Sequence, residues 1–462
     1  MDQLFIRLSE SLGGRVAPDH LKLAFSILST YPSAFVFKRL GSSTLKHLFS
    51  IVYTSWIMLF VLQLTTGFIH IMSAATITYV LGRYCHTKQL AWINFAMAML
   101  SMSICHLQRQ WKGIEGDTEL DCSGALMILT IKLSSFGFNV LDGKTTNQEQ
   151  ASAHMKITQY PSLVQFYGWI LFFAGFLAGP TCEYMDYIRF VESDEAPRDS
   201  LKPALQRLGK SMLFMLSLAT LAPQYNYFNA LQPAFANFSF PKKLFFIQLS
   251  AILTRCKYYC VWYLAEGACI LSGFGFSGYD EQNKACWDRL KNVNFLSCEL
   301  AQSYKQLSAN WNMGANRWLR NYVYLRLESG SNKTTLITYV ISAMWHGFQP
   351  GFYFFFMTIS VLQIFARQVR KTVRPLFLTI DGQPIPYWKS AYDVVTWIAS
   401  MSILNMLVPC FDLLLISRIL HIWRSIYFCH FAVILSAFVA FPLIQPHLVA
   451  IQKKRLVTNK QK

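Results

Sequence analysis

Long stretches of this sequence contain no charged residue. Residues 47–82 and 334–366 hold no Asp, Glu, Lys or Arg. A helix that spans a membrane needs about 20 predominantly apolar residues, and each of these runs is longer than that. Because 53% of the residues are hydrophobic and only 14% are charged, the chain is too apolar for a soluble multidomain protein or a disordered one. The sequence therefore predicts a membrane protein.

Similar runs recur along the rest of the chain. The uncharged runs are 89–108, 157–182, 211–241, 394–411 and 425–452, and weaker candidates with one to three charges are Leu21–Phe37, Ala125–Asn139 and Leu244–Phe274. The run 47–82 exceeds one crossing, with Gly67 as the candidate break. We predict an all-α, polytopic membrane protein with about eleven membrane-embedded helices of unequal length. Since no long connector separates two parts, residues 1–462 are predicted to form a single domain.

The positive charge of the chain indicates its orientation and its partners. Lys and Arg outnumber Asp and Glu by 42 to 24, which gives a net charge of +18. In a membrane protein such charge favours loops beside anionic cytoplasmic lipid rather than a nucleic-acid partner. The most basic segments are Arg367–Arg374 and the short tail at about 453–462. Both are predicted to be cytoplasmic, because two predicted spans separate them.

The eleven cysteines do not follow a metal-binding or disulfide pattern. No CxxC pair is present, and several cysteines lie in apolar stretches, as is typical of small core residues. The sequence therefore predicts no metal site.

One histidine lies deep inside the longest uncharged run toward the C-terminus. His346 follows Lys333 by 13 residues, which is about 20 Å along a helix. Ionisable groups at that depth usually face the protein interior or a cavity and mark function. Gly347, Pro350 and Gly351 are expected to break the helix directly after it. Burial favours the neutral imidazole, which can take a proton from an alcohol.

Two other interpretations of His346 remain open at this point. It can be a core histidine that is hydrogen-bonded to a neighbouring helix. It can also activate Ser342, one helical turn earlier, as a nucleophile. However, no acidic residue nearby completes a triad, and a serine in a helix more often bonds back to its own helix carbonyl.

A second polar patch lies upstream, at 309–320. Three asparagines, Asn310, Asn312 and Asn316, occur within seven residues there, and Trp311 and Trp318 lie in the same patch. The two tryptophans are seven positions apart, which places them on one helical face. Asparagines are costly beside a membrane unless they cap a helix, line water or bind a ligand. An amide in a dry site can donate to a developing oxyanion.

Together these two segments resemble the membrane-bound O-acyltransferase family. The resemblance lies in Trp311-Asn312 followed by Trp318-Leu319, in Trp345-His346-Gly347 followed by Pro350-Gly351, and in the separation of 34 residues between Asn312 and His346. The segment from Gly179 to Tyr187 is similar to the signature of the lysophospholipid acyltransferase branch, as are Phe138-Asn139 and Asp142-Gly143. The resemblance extends from about Leu21 to Phe441.

The resemblance implies an enzyme of the endoplasmic reticulum membrane that moves a fatty acyl group from acyl-CoA to the hydroxyl of a lysophospholipid. It implies that His346 is the general base and Asn312 its partner, and that both line a tunnel through the membrane domain. Acyl-CoA is then a co-substrate, and no permanently bound cofactor is needed because a thioester is already activated. The residues that contact coenzyme A and the oligomeric state are left unassigned.

Further residues are expected to contact substrate on the same grounds. Trp311 and Trp345 flank the two catalytic candidates, and Glu183, Tyr184 and Asp186 are expected to shape the lysolipid side of the site. Their alternative role is that of ordinary residues at the membrane interface.

Two alternative functions also remain. A family member acting on sterol, diacylglycerol or a protein would share the Asn and His pattern, although the segment from Gly179 to Tyr187 favours a lysophospholipid acceptor of broad head-group range. A transporter would also show broken helices and embedded charges. It would not need Asn312 and His346 at this spacing, and no repeat of paired interrupted helices is present in the sequence.

Overall fold

Helices make up most of the chain in the computed structural model, which describes residues 2–460 apart from 12, 15, 114–119, 145–152, 194, 195, 198 and 328–330. The first ten are α1 (Asp2–Ser11), α2 (Pro18–Leu28), α3 (Thr30–Lys38), α4 (Ser43–Trp56), α5 (Thr65–Arg83), α6 (Lys88–Trp111), α7 (Ser123–Lys144), α8 (Leu163–Ile170), α9 (Tyr184–Glu192) and α10 (Leu201–Leu221). The remainder are α11 (Pro233–Ala236), α12 (Phe240–Leu271), α13 (Phe295–Glu299), α14 (Tyr304–Asn310), α15 (Met313–Leu319), α16 (Asn332–His346), α17 (Pro350–Val373), α18 (Trp388–Leu413), α19 (Ile416–Ser425) and α20 (Cys429–Lys460).

A small hairpin departs from the all-α prediction. Strands β1 (Gly278–Tyr279) and β2 (Ala285–Cys286) pair in antiparallel register. Each strand has two residues, so the helical class itself is confirmed.

The predicted number of embedded helices is not confirmed. Within the described residues, six helices are long and apolar enough to cross a membrane, against the eleven or so that the sequence predicts. They are Ser43–Val61, which adds a π-helical turn to α4, then Lys88–Trp111, Ser123–Lys144, Pro350–Phe377, Trp388–Leu413 and Cys429–Arg455. Several of the predicted runs instead divide into shorter pieces.

The run 47–82 divides at a different residue from the one predicted. The chain leaves helical geometry at 62–64, where Gln63 has φ +58°. Gly67 lies inside α5, and a Cβ placed on it would come within 2.7 Å of the Cβ of Cys122. This glycine therefore serves close packing and not the break.

The run 157–182 is only partly helical. After the eight residues of α8, the backbone from Leu171 to Cys182 forms no regular helix. Phe172, Phe173 and Phe176 on this segment are each at most 3% exposed. Irregular backbone is tolerated at membrane depth when protein, not lipid, surrounds it, and a count of apolar residues does not separate the two environments.

Helix α7 forms the centre of the bundle, whereas α20 lies at its edge. In the apolar 18-residue stretch of the α7 span 83% of the residues are buried, and in that of the α20 span none is. Helix α20 packs on α17 through a stacked pair, Phe365 and Phe438, whose ring centroids are 4.0 Å apart. The basic tail predicted at about 453–462 continues α20 as helix to Lys460, and residues 461 and 462 lie outside the described part.

Charges embedded in α12 are neutralised by neighbouring helices. Arg255 donates to both carboxylate oxygens of Glu299, at 2.7 Å each. Farther along the same helix, Glu266 accepts from Arg207 of α10 at 2.6 Å. Buried charges are tolerated only when paired in this way, and these pairs let a 32-residue helix run through the bundle.

Candidate active site

A large cavity lies among helices α6, α7, α12, α16, α17 and α18. Its volume is about 2180 Å³, whereas pockets for a single small ligand are about 300–1,000 Å³. Both Phe352, near the start of α17, and Arg374, just after its end, line the cavity. At 1.5 Å per residue they are about 33 Å apart. The cavity is therefore elongated, with room for two chain-like ligands.

His346 stands where the sequence predicts a helix break. It is the last residue of α16, and the next residue, Gly347, has φ +131°. The amide of Gly347 closes the helix by donating to the carbonyls of Ala343 and Met344 at 3.1 and 3.2 Å. Such a φ favours glycine, so the break directly after His346 is confirmed.

Aromatic rings surround the His346 imidazole. Its ring centroid lies 4.7 Å from Trp345, 4.9 Å from Phe411, 5.0 Å from Phe356 and 5.6 Å from Phe352. The side chain lines the cavity. Within the described part of the chain, no group hydrogen-bonds to its nitrogens, so a nitrogen lone pair of the neutral ring is available to a ligand.

A close backbone contact between the start of α17 and the end of α18 shapes the aromatic pocket around His346. The amide of Gly351 donates to the carbonyl of Leu414 at 2.9 Å. A Cβ on Gly351 would lie 2.1 Å from the carbonyl oxygen of Cys410, which leaves room for glycine alone. The start of α17 thereby sits against the end of α18, and this contact brings Phe411 to His346.

Asn312 lies in the short link between α14 and α15. Its backbone is left-handed, with φ +43° and ψ +57°, a conformation that asparagine tolerates better than most residues. Asn292 fixes the next two residues, since its carbonyl accepts from Met313 N at 2.8 Å and its Oδ1 from Gly314 N at 3.0 Å. Asn312 and His346 line the same cavity. Among the described residues no hydrogen bond joins their side chains.

The two predicted substrate-contacting tryptophans also line the cavity. Trp311 packs on Tyr258, Tyr259 and Trp262, with ring centroids 4.9–5.6 Å apart. The indole Nε1 of Trp345 donates to the carbonyl of Met127 on α7 at 2.9 Å. Both therefore offer ring surface to the cavity.

Comparison with known proteins shows which family the chain resembles as a whole. The profile of the membrane-bound O-acyltransferase family matches residues 39–409. A protein of Schizosaccharomyces pombe named lysophospholipid acyltransferase is 34% identical over 460 residues, which are 96% of this chain and 89% of that protein. A Saccharomyces cerevisiae protein of the same name is 29% identical, over 91% and 74% of the two chains. Human membrane-bound glycerophospholipid O-acyltransferase 2 is 30% identical, over 78% and 72%.

This chain belongs to the membrane-bound O-acyltransferase family. It is an acyltransferase, and the six helices among the described residues that are long and apolar enough to cross a membrane make it a multi-pass membrane protein.

In this acyltransferase, three of the predicted site residues do not line the cavity. Glu183 accepts a hydrogen bond from Asn139 Nδ2 at 2.9 Å. Tyr184 is 3% exposed and packs on Phe136 and Trp169. Asp186, in the first turn of α9, is also absent from the cavity lining. The positions of these residues support packing of α9 and α7, and their contact with lysolipid stays a prediction.

The segment just before them does reach the cavity. Ala178, Gly179 and Thr181 line it. A Cβ on Gly314 would lie 2.4 Å from Thr181 Oγ1, so the glycine two positions after Asn312 lets this segment approach α15. The signature that runs from Gly179 therefore lines the site at its beginning and packs outside it at its end.

Sequence reasoning missed several polar residues of the cavity. His106 of α6 lines it, as do Arg109 and Asp121, which form an ion pair with Nε and Oδ2 2.9 Å apart. None of the three belongs to a recognisable motif, because they come from the end of one helix and the link to the next. Helix α6 is long enough to span a membrane, so its C-terminal end is expected near the membrane boundary. This is the one sequence signal for the location of these residues.

Proposed function

We propose that this chain transfers a fatty acyl group from an acyl-CoA thioester to the free hydroxyl of a lysophospholipid. The observation that supports this most directly is His346, whose imidazole lacks a hydrogen-bond partner within the described residues and lines the same cavity as Asn312. The relatives named lysophospholipid acyltransferase align over nearly the whole chain.

His346 is the general base in this proposal. The lysophospholipid hydroxyl attacks the thioester carbonyl carbon while an imidazole nitrogen takes its proton. The tetrahedral adduct then collapses, the carbon–sulfur bond breaks, and the imidazolium returns the proton to the leaving thiolate. The products are a diacyl phospholipid and coenzyme A. No metal is required for this step, because the thioester is already activated.

Asn312 stabilises the charge that develops on the carbonyl oxygen. Its amide can donate a hydrogen bond to the oxyanion, and Asn292 holds the backbone of the next two residues, Met313 and Gly314, before substrate binds. Pre-organised donors of this kind are worth about 10²–10³ in kcat. The aromatic rings around His346 keep water from hydrolysing the thioester.

The charges along the cavity suggest how the two substrates enter. The end formed by α17 is cationic, with Arg367, Arg370, Lys371 and Arg374 in the lining. Phosphates bind such clusters, so we place coenzyme A at this end and the acyl chain deeper in the elongated cavity, which serves as the tunnel. By the positive-inside rule this end lies in the cytoplasm. Two further candidate spans follow it, so the C-terminus lies on the same side.

The remaining parts of the proposal concern range and location. Several cavity walls are apolar and the polar residues carry both signs, which supports a broad range of head groups. We place the enzyme in the endoplasmic reticulum membrane.

The chain forms a single domain in this proposal. Residues of both large hydrophobic clusters line the same cavity, among them Trp345 of the first cluster and Val408 of the second, which supports one domain.

An acceptor panel tests the proposed function. Membranes from cells that express the protein, and from matched cells that do not, receive labelled oleoyl-CoA and one acceptor at a time. The acceptors are lysophospholipids with choline, ethanolamine, serine, inositol or no head group, and also cholesterol and diacylglycerol. We expect label in the diacyl products of several lysophospholipids. Label in sterol ester or triacylglycerol alone would show another acceptor class.

A further inference from the structure

A second histidine lines the cavity close to the catalytic candidate. His106 lies on α6, five residues before the helix ends at Trp111, and is half-buried. It belongs to none of the sequence motifs, and the proposed transfer step gives it no role.

One hydrogen bond determines the protonation of this ring. His106 Nε2 lies 3.2 Å from the backbone carbonyl oxygen of Trp345. A carbonyl can only accept, so Nε2 carries the proton and donates it, while Nδ1 is unprotonated in the neutral ring. The last four carbonyls of a helix have no partner within that helix. His106 therefore satisfies a free carbonyl of α16 at the residue immediately before His346.

The end of α16 is held on both sides by these contacts. Trp345 accepts from His106 of α6 through its carbonyl and donates to Met127 of α7 through its indole. A Cβ on Gly347 would lie 3.6 Å from His106 Cγ and Nδ1. The residues before and after His346 are thus both set against α6.

We propose that His106 is a positioning residue for acyl transfer. Its hydrogen bond to the Trp345 carbonyl fixes the end of α16 and so the direction in which the His346 imidazole enters the cavity. His106 does not take the substrate proton. This inference rests on the proposed function, in which His346 is the base. Misplacement of a catalytic group by about 1 Å can lower a rate by about 10².

Two amide substitutions separate this role from general packing. In His106→Gln the side-chain amide nitrogen reaches the former Nε2 position and can donate to the Trp345 carbonyl. In His106→Asn the shorter amide reaches only the Nδ1 position, so the donor is lost. At matched amounts of folded protein, we expect His106→Asn to lower kcat about tenfold or more with KM little changed. His106→Gln should restore kcat toward the wild-type value.

A chemical measurement reports on the same contact without acyl transfer. Diethyl pyrocarbonate acylates neutral imidazole, and peptide mass spectrometry gives the rate at His346. We expect this rate to change in His106→Asn and to match wild type in His106→Gln. Three results would each overturn the positioning role. They are an equal fall in kcat in both variants, a change in KM with kcat unchanged, and equal labelling rates in all three proteins. If wild type transfers no acyl group to lysophospholipid, the proposed function fails, and the labelling rates still decide the role of His106.

Discussion

Replacing His346 by alanine is expected to abolish acyl transfer and leave the protein folded. The imidazole lines the cavity and has ring contacts but no hydrogen-bond partner among the described residues. Its removal therefore deletes the base without breaking a polar network. General base catalysis contributes about 10²–10⁴ in rate, so transfer should fall by that factor. The measurement is the initial rate with oleoyl-CoA and a lysophospholipid at matched amounts of monodisperse protein.

His430 offers a matched control for this substitution. It is 4% exposed, packs on Trp423 and Phe431, and does not line the cavity. His430→Ala should lower the yield of folded protein, as loss of a buried ring does, while the rate per folded molecule stays near wild type. If His346→Ala behaves like His430→Ala, with yield reduced and the rate per molecule preserved, His346 is a core residue and not the base.

Replacing Asp142 by asparagine is expected to destabilise the protein strongly. Asp142 of α7 accepts from both terminal nitrogens of Arg326, at 2.8 and 2.5 Å, and the two side chains are 2% and 8% exposed. Asparagine keeps the shape but removes the charge that compensates the buried guanidinium. Breaking a buried pair on one side costs about 3–5 kcal/mol. The expected result is a clear fall in melting temperature and in folded yield in detergent.

The pair between Lys389 and Asp393 provides the comparison. It lies within the first turns of α18, and its side chains are 15% and 25% exposed. Asp393→Asn should shift the melting temperature little, because more exposed pairs are worth about 0–1 kcal/mol. Equal melting temperatures for Asp142→Asn and Asp393→Asn would show that the Asp142 pair does not hold α7 to the segment after α15.

The sequence predicts where the two catalytic candidates lie because their signals are local, whereas their catalytic roles stay a prediction. Gly347 and Pro350 mark a helix end wherever they stand in an apolar run, so the position of His346 at a break is readable from residue type. Asn312 lies in a segment beside the membrane, where burying an amide costs free energy unless the amide caps a helix, contacts water or binds a ligand. Neither inference depends on which helices are neighbours.

The number of spans is not readable in the same way. Apolar composition is shared by lipid-facing helices such as α20 and by segments buried in protein, such as Leu171–Cys182. A window of hydropathy does not distinguish these environments, and the embedded charges of α12 lower its hydropathy although they are paired. The prediction of about eleven embedded helices rests on a count of apolar runs, and such a count contains no information on how the runs pack.

The sequence also does not reveal residues that act through partners far away along the chain. His106 is 239 positions from Trp345 along the chain, so only the packing of α6 on α16 reveals that they meet. Glu183 shows the opposite case, since a motif drew attention to it and the structure places it outside the cavity, beside Asn139. Motif membership indicates importance and does not by itself separate substrate contact from support.

The most direct measurement of the central claim is a cryo-EM structure with a 2-oxoalkyl thioether analogue of oleoyl-CoA, which keeps the carbonyl but cannot release the thiol. The account predicts that the carbonyl lies in the cavity within hydrogen-bond reach of the Asn312 amide and next to the His346 imidazole. It also predicts phosphates at the cationic end of α17. Density for the analogue outside this cavity, or a carbonyl remote from both side chains, would contradict the account.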